Sequence, residues 1–195
     1  MTDPGISRNG ELVPPQFSRN SEQTPKGCDS ATRRDAIADH HRKHLLAERS
    51  PIMKTPQKIL YEATMTAEGG RDGRARSDDG NLDVALVVPK ELGGPGGSGT
   101  NPEQLFGAGY AACFLGAVKL VARTRKISLP IETTVSAKVG MGPVEVGYAL
   151  AVELVVAMPG LDQGLANEIL EGAHERCPYS NATRGNIEVK LTAVT

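Results

Sequence analysis

Three cysteines, Cys28, Cys113 and Cys177, are the residues of this chain best suited to covalent chemistry. Cys177 stands in HERCPYSNATRGN, residues 174–186, at what reads as the end of a helix and directly before a proline. Cys113 lies 64 positions earlier, within GYAACFLGAV, residues 109–118. Two thiols brought together by a fold can cycle between dithiol and disulfide, or share a metal. Buried cysteines also serve simply as small apolar side chains. Three widely spaced cysteines make a poor framework of structural disulfides, which leaves redox chemistry or metal binding for a pair that meets.

The elements that carry the two thiols are legible. Asn101 is a good N-cap, Pro102 suits the first helical position, and a helix of about 22 residues follows. Its apolar residues, among them Phe106, Tyr110, Phe114, Val118 and Val121, spread around all faces, which predicts a buried central helix. Gly109, Ala112, Cys113 and Gly116 fall on one narrow side of it, a seam of small residues that a second helix could approach closely. The segment LDQGLANEILEGAHERC predicts that second helix, stopped by Pro178, with Cys177 in its apolar arc beside Leu165, Ala166, Ile169, Leu170 and Ala173. Packing it on the seam would bring the sulfurs together. Cys113 lies about three turns from the N-cap, too far for the helix dipole to help its thiolate, so a reactive Cys113 needs a nearby cation.

Other constellations compete. His174 stands one turn before Cys177, so Cys113, His174 and Cys177 could form a structural zinc module, although no fourth ligand is evident. His40, His41 and His44 form an H-H-x-x-H group that reads as incidental. Gly94 and Gly99 have phosphate-loop spacing, but Thr100 follows where such a loop needs lysine. Asn181-Ala182-Thr183 reads as chain reversal before a last strand.

Composition narrows the function classes. A formal net charge of −1 offers no basic excess for nucleic acid or an anionic membrane, and the lack of Trp removes a stacking platform. No apolar run reads as membrane-spanning and no secretory signal opens the chain, so a cytoplasmic protein is expected. Residues 1–52 are polar and Pro-rich without period, which predicts a disordered N-terminal extension, and Met53 reads as the initiator or the start of a folded domain spanning 53–195. Beyond it, KILYEATMTA, a short strand inside GGRDGRARSDDGN, LDVALVVP, ETTVSAKVGMG, VGYALAVELVVAMPG and GNIEVKLTAVT predict strands, with KELGGPGGSGTNP a mobile glycine loop. Strands, helix, strands, helix, strand is an α+β order.

NPEQLFGAGYAACFLGAV and CPYSNATRGNIEV, with GGRDGRA upstream, closely resemble the organic hydroperoxide resistance proteins, the Ohr branch of the Ohr/OsmC family, over roughly residues 57–194. The OsmC branch usually carries histidine where this chain has Tyr110. The resemblance implies antiparallel strands around two central helices and an intertwined homodimer with two sites at its interface. It also implies a peroxidase with Cys113 as peroxidatic cysteine, Cys177 as resolving cysteine, Arg71 stabilising the thiolate, and Glu103 holding Arg71. Organic hydroperoxides would be the substrate and dihydrolipoamide or lipoylated proteins the reductant, with no cofactor and no metal. Cys28 matches no family position. A non-catalytic peroxide sensor, like the zinc module, is an alternative use of the thiols.

Ten residues separate Glu103 from Cys113, about 15 Å along a straight helix. One arginine cannot pair tightly with both. Either Glu103 rides on flexible backbone, with the glycine loop as a lid, or the site combines two subunits. Phe106, Phe114, Ile127, Leu129 and Met141 are candidates for lining an apolar substrate pocket.

Overall fold

The computed structural model of the protein describes residues 54–195. The expectations for residues 1–52, Cys28, Met53 and the histidines His40, His41 and His44 lie outside the described residues. The described part is α+β. It holds a small sheet of β1 (Met65–Glu68), β2 (Arg74–Ser77) and β3 (Asp83–Ala85), and a larger one of β4 (Thr134–Pro143), β5 (Tyr148–Ala157) and β6 (Glu188–Val194). Helices α1 (Pro102–Thr124) and α2 (Gln163–Arg176) pack with the larger sheet, and a short α3 (Pro178–Thr183) follows α2.

Local signals explain α1 at both ends. The Asn101 side chain accepts the Gln104 amide at 2.9 Å from an extended backbone, and Pro102 opens the first turn. At the far end Lys126 takes φ 59°, its amide reaches the Arg123 carbonyl, and the Ile127 amide reaches that of Ala122. This is a Schellman stop made with lysine in the position glycine usually fills.

The expectation that α1 is buried all round needs correction. Tyr110, Phe114, Ala117, Val118, Val121 and Ala122 are buried, while Ala108, Ala112, Gly116 and Lys119 face outward. Between Ala108 and Gly116 the outward face is made of small residues rather than polar ones, which is why the helical wheel looks apolar there. Against the sequence reading, α1 is long and apolar enough to cross a membrane, with mean hydropathy 1.7. Its buried side chains instead join a core with Val152, Leu154, Val156, Met158, Ile169 and Ala173.

Strand alternation builds the other half of that core. Val152, Leu154 and Val156 of β5 point inward, with Val135, Ala137 and Val139 of β4 packed beside them. On the outer face Lys138, Glu153 and Lys190 stand side by side across the three strands, and Lys190 pairs with Glu153 at 3.3 Å. β4 and β5 are antiparallel, but β6 runs parallel to β5, so the larger sheet is mixed rather than wholly antiparallel. The return through α2 and α3 is a crossover connection, which is the kind parallel strands require.

The segment KILYEATMTA is a strand only from Met65. Ile59, Leu60 and Tyr61 are exposed, because among the described residues no strand lies beside them. The glycine loop is closed at its neck. The Val87 amide bonds Thr100 and the Thr100 amide bonds Ala85, both at 2.9 Å, closing its neck, and Lys90–Leu92 form a 3-10 turn within it. A Cβ at Gly94 would stand 2.3 Å from the Val88 carbonyl oxygen, so this close chain approach admits only glycine.

Leu154 is fully buried between the helices and the sheet. Leu154→Ala should therefore cost about 2–5 kcal/mol of folding free energy, read as a lower urea midpoint with an unchanged slope.

Candidate active site

The sulfurs of Cys113 and Cys177 lie 3.5 Å apart, with the Cys177 thiol donating, and both cysteines are free. Cys113 is half-buried on α1, whereas Cys177 is completely buried. The expected packing of α2 on the small-residue seam does not occur. A Cβ at Gly116 would meet nothing within 4 Å, and α2 instead sets Gly172 against Val121. The sulfurs meet because Cys177 lies just past α2. Its amide still bonds the Ala173 carbonyl at 2.9 Å, but its backbone turns out of the helix at φ −66°, ψ 124°.

That corner has a local cause. Proline disfavours helical conformation in the residue before it and suits the first position of a new helix, so Pro178 ends α2 and opens α3. The NAT segment is part of this six-residue helix, not a chain reversal. Proline at a first helical position was the signal available to find it.

Sequence reasoning passed over what α3 brings to the site. The Tyr179 backbone N–H lies close enough to the Cys113 sulfur to favour its thiolate. The Tyr179 ring packs 6.0 Å from Phe106 and 5.6 Å from Tyr110, and its hydroxyl lies 2.9 Å from where a Gly109 Cβ would be. The small residue at 109 thus makes room for a tyrosine, not for a helix backbone. Tyr110 is fully buried, and its phenol oxygen lies 2.9 Å from Ser180 Oγ and 3.3 Å from Thr183 Oγ1.

Burial pushes the Cys113 thiol up. The Tyr179 amide opposes that shift, while the neighbouring Cys177 adds to it. Among the described residues no cation contributes. Arg71 instead pairs with Glu103 at 2.5 Å, with Glu103 the more buried partner. Arg71 sits in the tight turn joining β1 to β2, where a Cβ at Gly73 would lie 2.0 Å from the Glu68 carbonyl oxygen. Glu103 occupies the first turn of an unbroken helix, not a flexible loop. About 15 Å of helix then separates it from Cys113, so an arginine held on Glu103 cannot touch the thiol of its own chain. The structure brings together two pairs, Cys113 with Cys177 and Arg71 with Glu103, and keeps the pairs apart within one chain.

A cleft of about 460 Å³ opens beside Glu103, bounded by Leu92 of the glycine loop, Gly107 and Ala108 of α1, and Val139 and Met141 of β4. Of the five expected pocket residues only Met141 lines it. Phe114 is wholly in the core, and Phe106, Ile127 and Leu129 pack against the core from partial burial.

His174 makes no metal centre with the thiols. Among the described residues no three His, Cys, Asp or Glu side chains are grouped to hold a metal ion. Its Nδ1 is buried without a hydrogen-bond partner among those residues. Burial lowers its pKa, the Arg184 charge lowers it further, and Glu175 opposes both.

This fold and its paired thiols define a two-cysteine protein built to hold two sulfurs within reach of one bond. The OsmC family profile, described as OsmC-like protein, matches residues 94–192. The organic hydroperoxide resistance protein of Xanthomonas axonopodis pv. citri is 55% identical over 140 residues, covering 72% of this chain and 99% of that protein. OhrB of Bacillus subtilis is 47% identical over 68% of this chain and 96% of its own length. A crystal structure of an organic hydroperoxide resistance protein from Elizabethkingia anophelis superposes with TM-score 0.68 at 51% identity, covering 71% of this chain and 99% of that one. One from Legionella pneumophila gives 0.67 at 46%, covering 71% and 100%. The chain belongs to the Ohr/OsmC family.

The depressed pKa of His174 means the fold favours its neutral form. The stability it contributes is complete above its unfolded value of about 6.5 and is lost as pH falls through the lower folded value. Urea midpoints measured from pH 8 downward should therefore fall more for the wild type than for His174→Gln once the pH passes below that point.

Proposed function

We propose that the protein reduces organic hydroperoxides to alcohols as part of the response to oxidative stress, using Cys113 and Cys177 in turn. The observation that carries this reading is a half-buried thiol 3.5 Å from a fully buried one, in a chain similar to organic hydroperoxide resistance proteins over 99% of a relative's length. The Cys113 thiolate attacks the terminal oxygen of the hydroperoxide. An S–O bond forms, the O–O bond breaks, and the alkoxide leaves as the alcohol after taking a proton, which leaves a sulfenic acid. The Cys177 sulfur then attacks the sulfenic sulfur, forming the disulfide and releasing water. A dihydrolipoyl group, free or on a lipoylated protein, returns two electrons and two protons. A cytoplasmic setting, where thiols are kept reduced, suits such a cycle.

The thiolate needs a cation, and among the described residues none of its own chain supplies one. We assign that role to Arg71 of the other subunit of a homodimer, with Glu103 holding its guanidinium. Arginine stays charged at every working pH and so favours the thiolate throughout. Support comes from the separation of Arg71–Glu103 from Cys113 along α1, and from the exposed apolar residues Ile59, Leu60, Tyr61 and Met65 that a second chain would cover. Residues 53–195 would form the functional domain, since relatives of about that length span the match.

Two experiments test this. With dihydrolipoamide and cumene hydroperoxide the wild type should turn over, Cys113→Ser should not, and Cys177→Ser should stop after one turnover with a sulfenic acid on Cys113. A wild type that consumes no peroxide and keeps both thiols reduced overturns the reading. Arg71→Ala and Cys113→Ser should each be inactive alone, yet mixing them with subunit exchange should restore about a quarter of wild-type activity. Half the dimers would be mixed, each with one complete site. Absence of recovery in verified mixed dimers would put Arg71 and Cys113 of one chain in the same site.

A further inference from the structure

From the hydroxyl network behind the thiols, we infer that Tyr110 is a positioning residue for the disulfide-forming step, clamping α3 so that Cys177 stays within reach of Cys113. The inference rests on the reading of Cys177 as resolving cysteine. Tyr110, Ser180 and Thr183 are all buried, so each hydroxyl needs a protein partner.

The distances set the direction of the network. Thr183 Oγ1 donates to the Tyr179 carbonyl at 2.9 Å, which spends its only proton. Its remaining role toward Tyr110 is to accept, at 3.3 Å. The Tyr110 phenol, having given its proton to Thr183, accepts from Ser180 Oγ at 2.9 Å. The order Ser180 to Tyr110 to Thr183 to the Tyr179 carbonyl uses each hydroxyl proton once. It ends on Tyr179, whose amide N–H favours the Cys113 thiolate. Tyr110 itself lies on α1, three residues before Cys113, so one helix carries both the peroxidatic thiol and the clamp.

The clamp matters because closing the disulfide asks for precise reach. The sulfurs are 3.5 Å apart and a disulfide is about 2.05 Å long. Cys177 caps α3, and the Asn181 amide bonds its carbonyl at 2.9 Å, so any drift of α3 carries the sulfur with it. Misplacement of about 1 Å can slow a step by two orders of magnitude.

The test follows closure of the disulfide by two oxidants in the full-length protein. Diamide takes two electrons and two protons from the dithiol, being reduced to the hydrazine, and needs no peroxidase activity. Stoichiometric cumene hydroperoxide with dimedone trapping reports any Cys113 sulfenic acid that waits for Cys177. Tyr110→Phe keeps the ring and removes the clamp. Thr183→Val removes it from the other end and serves if Tyr110→Phe does not fold, while Thr183→Ser retains the hydroxyl. Leu154→Ala is the control for general destabilisation. We expect diamide closure to slow roughly tenfold or more in Tyr110→Phe and Thr183→Val. Thr183→Ser and Leu154→Ala should close at the wild-type rate, and the dimedone adduct should replace the disulfide in Tyr110→Phe. Closure at the wild-type rate in both clamp variants, or equal slowing in Leu154→Ala, would overturn the inference. Should the wild type close with diamide but ignore the peroxide, the peroxidase reading fails, and slowed diamide closure in the variants still supports the clamp.

Discussion

Pro178 has no amide hydrogen, and its ring would crowd the carbonyl four residues back, so α2 cannot run through it. The residue before a proline is also driven out of helical conformation, and here that residue is Cys177. The corner at φ −66°, ψ 124° buries the Cys177 sulfur completely and sets it 3.5 Å from Cys113. The rest of the site follows from the same corner. Because α3 starts there, the Tyr179 amide favours the Cys113 thiolate, the Tyr179 ring lies over Gly109, and two hydroxyls close on Tyr110. One backbone constraint thus sets the reach of the buried thiol and the surroundings of the half-buried one.

Electrostatics within one chain works against a thiolate. Desolvation favours the neutral thiol of Cys113, and a second thiol alongside adds to that preference. The charge able to reverse it is held on Glu103, about ten residues up the same helix. A straight helix cannot fold its own first turn onto its third. The rigidity that positions Cys113 accurately is therefore what keeps Arg71 of the same chain away from it.

The outward face of α1 carries no large side chain between Ala108 and Gly116. Ala108, Ala112 and Gly116 leave that face smooth and nearly featureless, while Ile59, Leu60, Tyr61 and Met65 stand exposed ahead of and at the start of β1. Burying aliphatic and aromatic side chains of this size is worth about 1.5–3 kcal/mol each, so leaving them in water forgoes much available stabilisation. Small residues along a helix face also permit close backbone approach, which larger side chains would prevent.

Much of this was legible before any coordinates. Asn101 and Pro102 mark the start of α1, Pro178 marks the end of α2, and alternating apolar residues mark β4, β5 and β6, because capping, proline sterics and burial patterns act within a few residues. The two cysteines were legible as candidates for a pair, but the sulfurs meet through the corner after α2 and not through the helix packing the sequence suggested. The seam was misread as a helix-packing surface, since a helical wheel registers that Gly109 and Gly116 are small without saying what fills the space. Tyr110 read only as one more apolar residue, because its partners lie 70 and 73 positions away. The sequence by itself determined the two long helices, the strands of the larger sheet, their order and the residues able to do chemistry. The tertiary structure alone decided that β6 returns parallel, that α2 packs on Val121, that Arg71 reaches Glu103, and that Tyr179 shields Gly109. Those choices depend on contacts between distant residues, whose free energies compete only once the whole chain has come together.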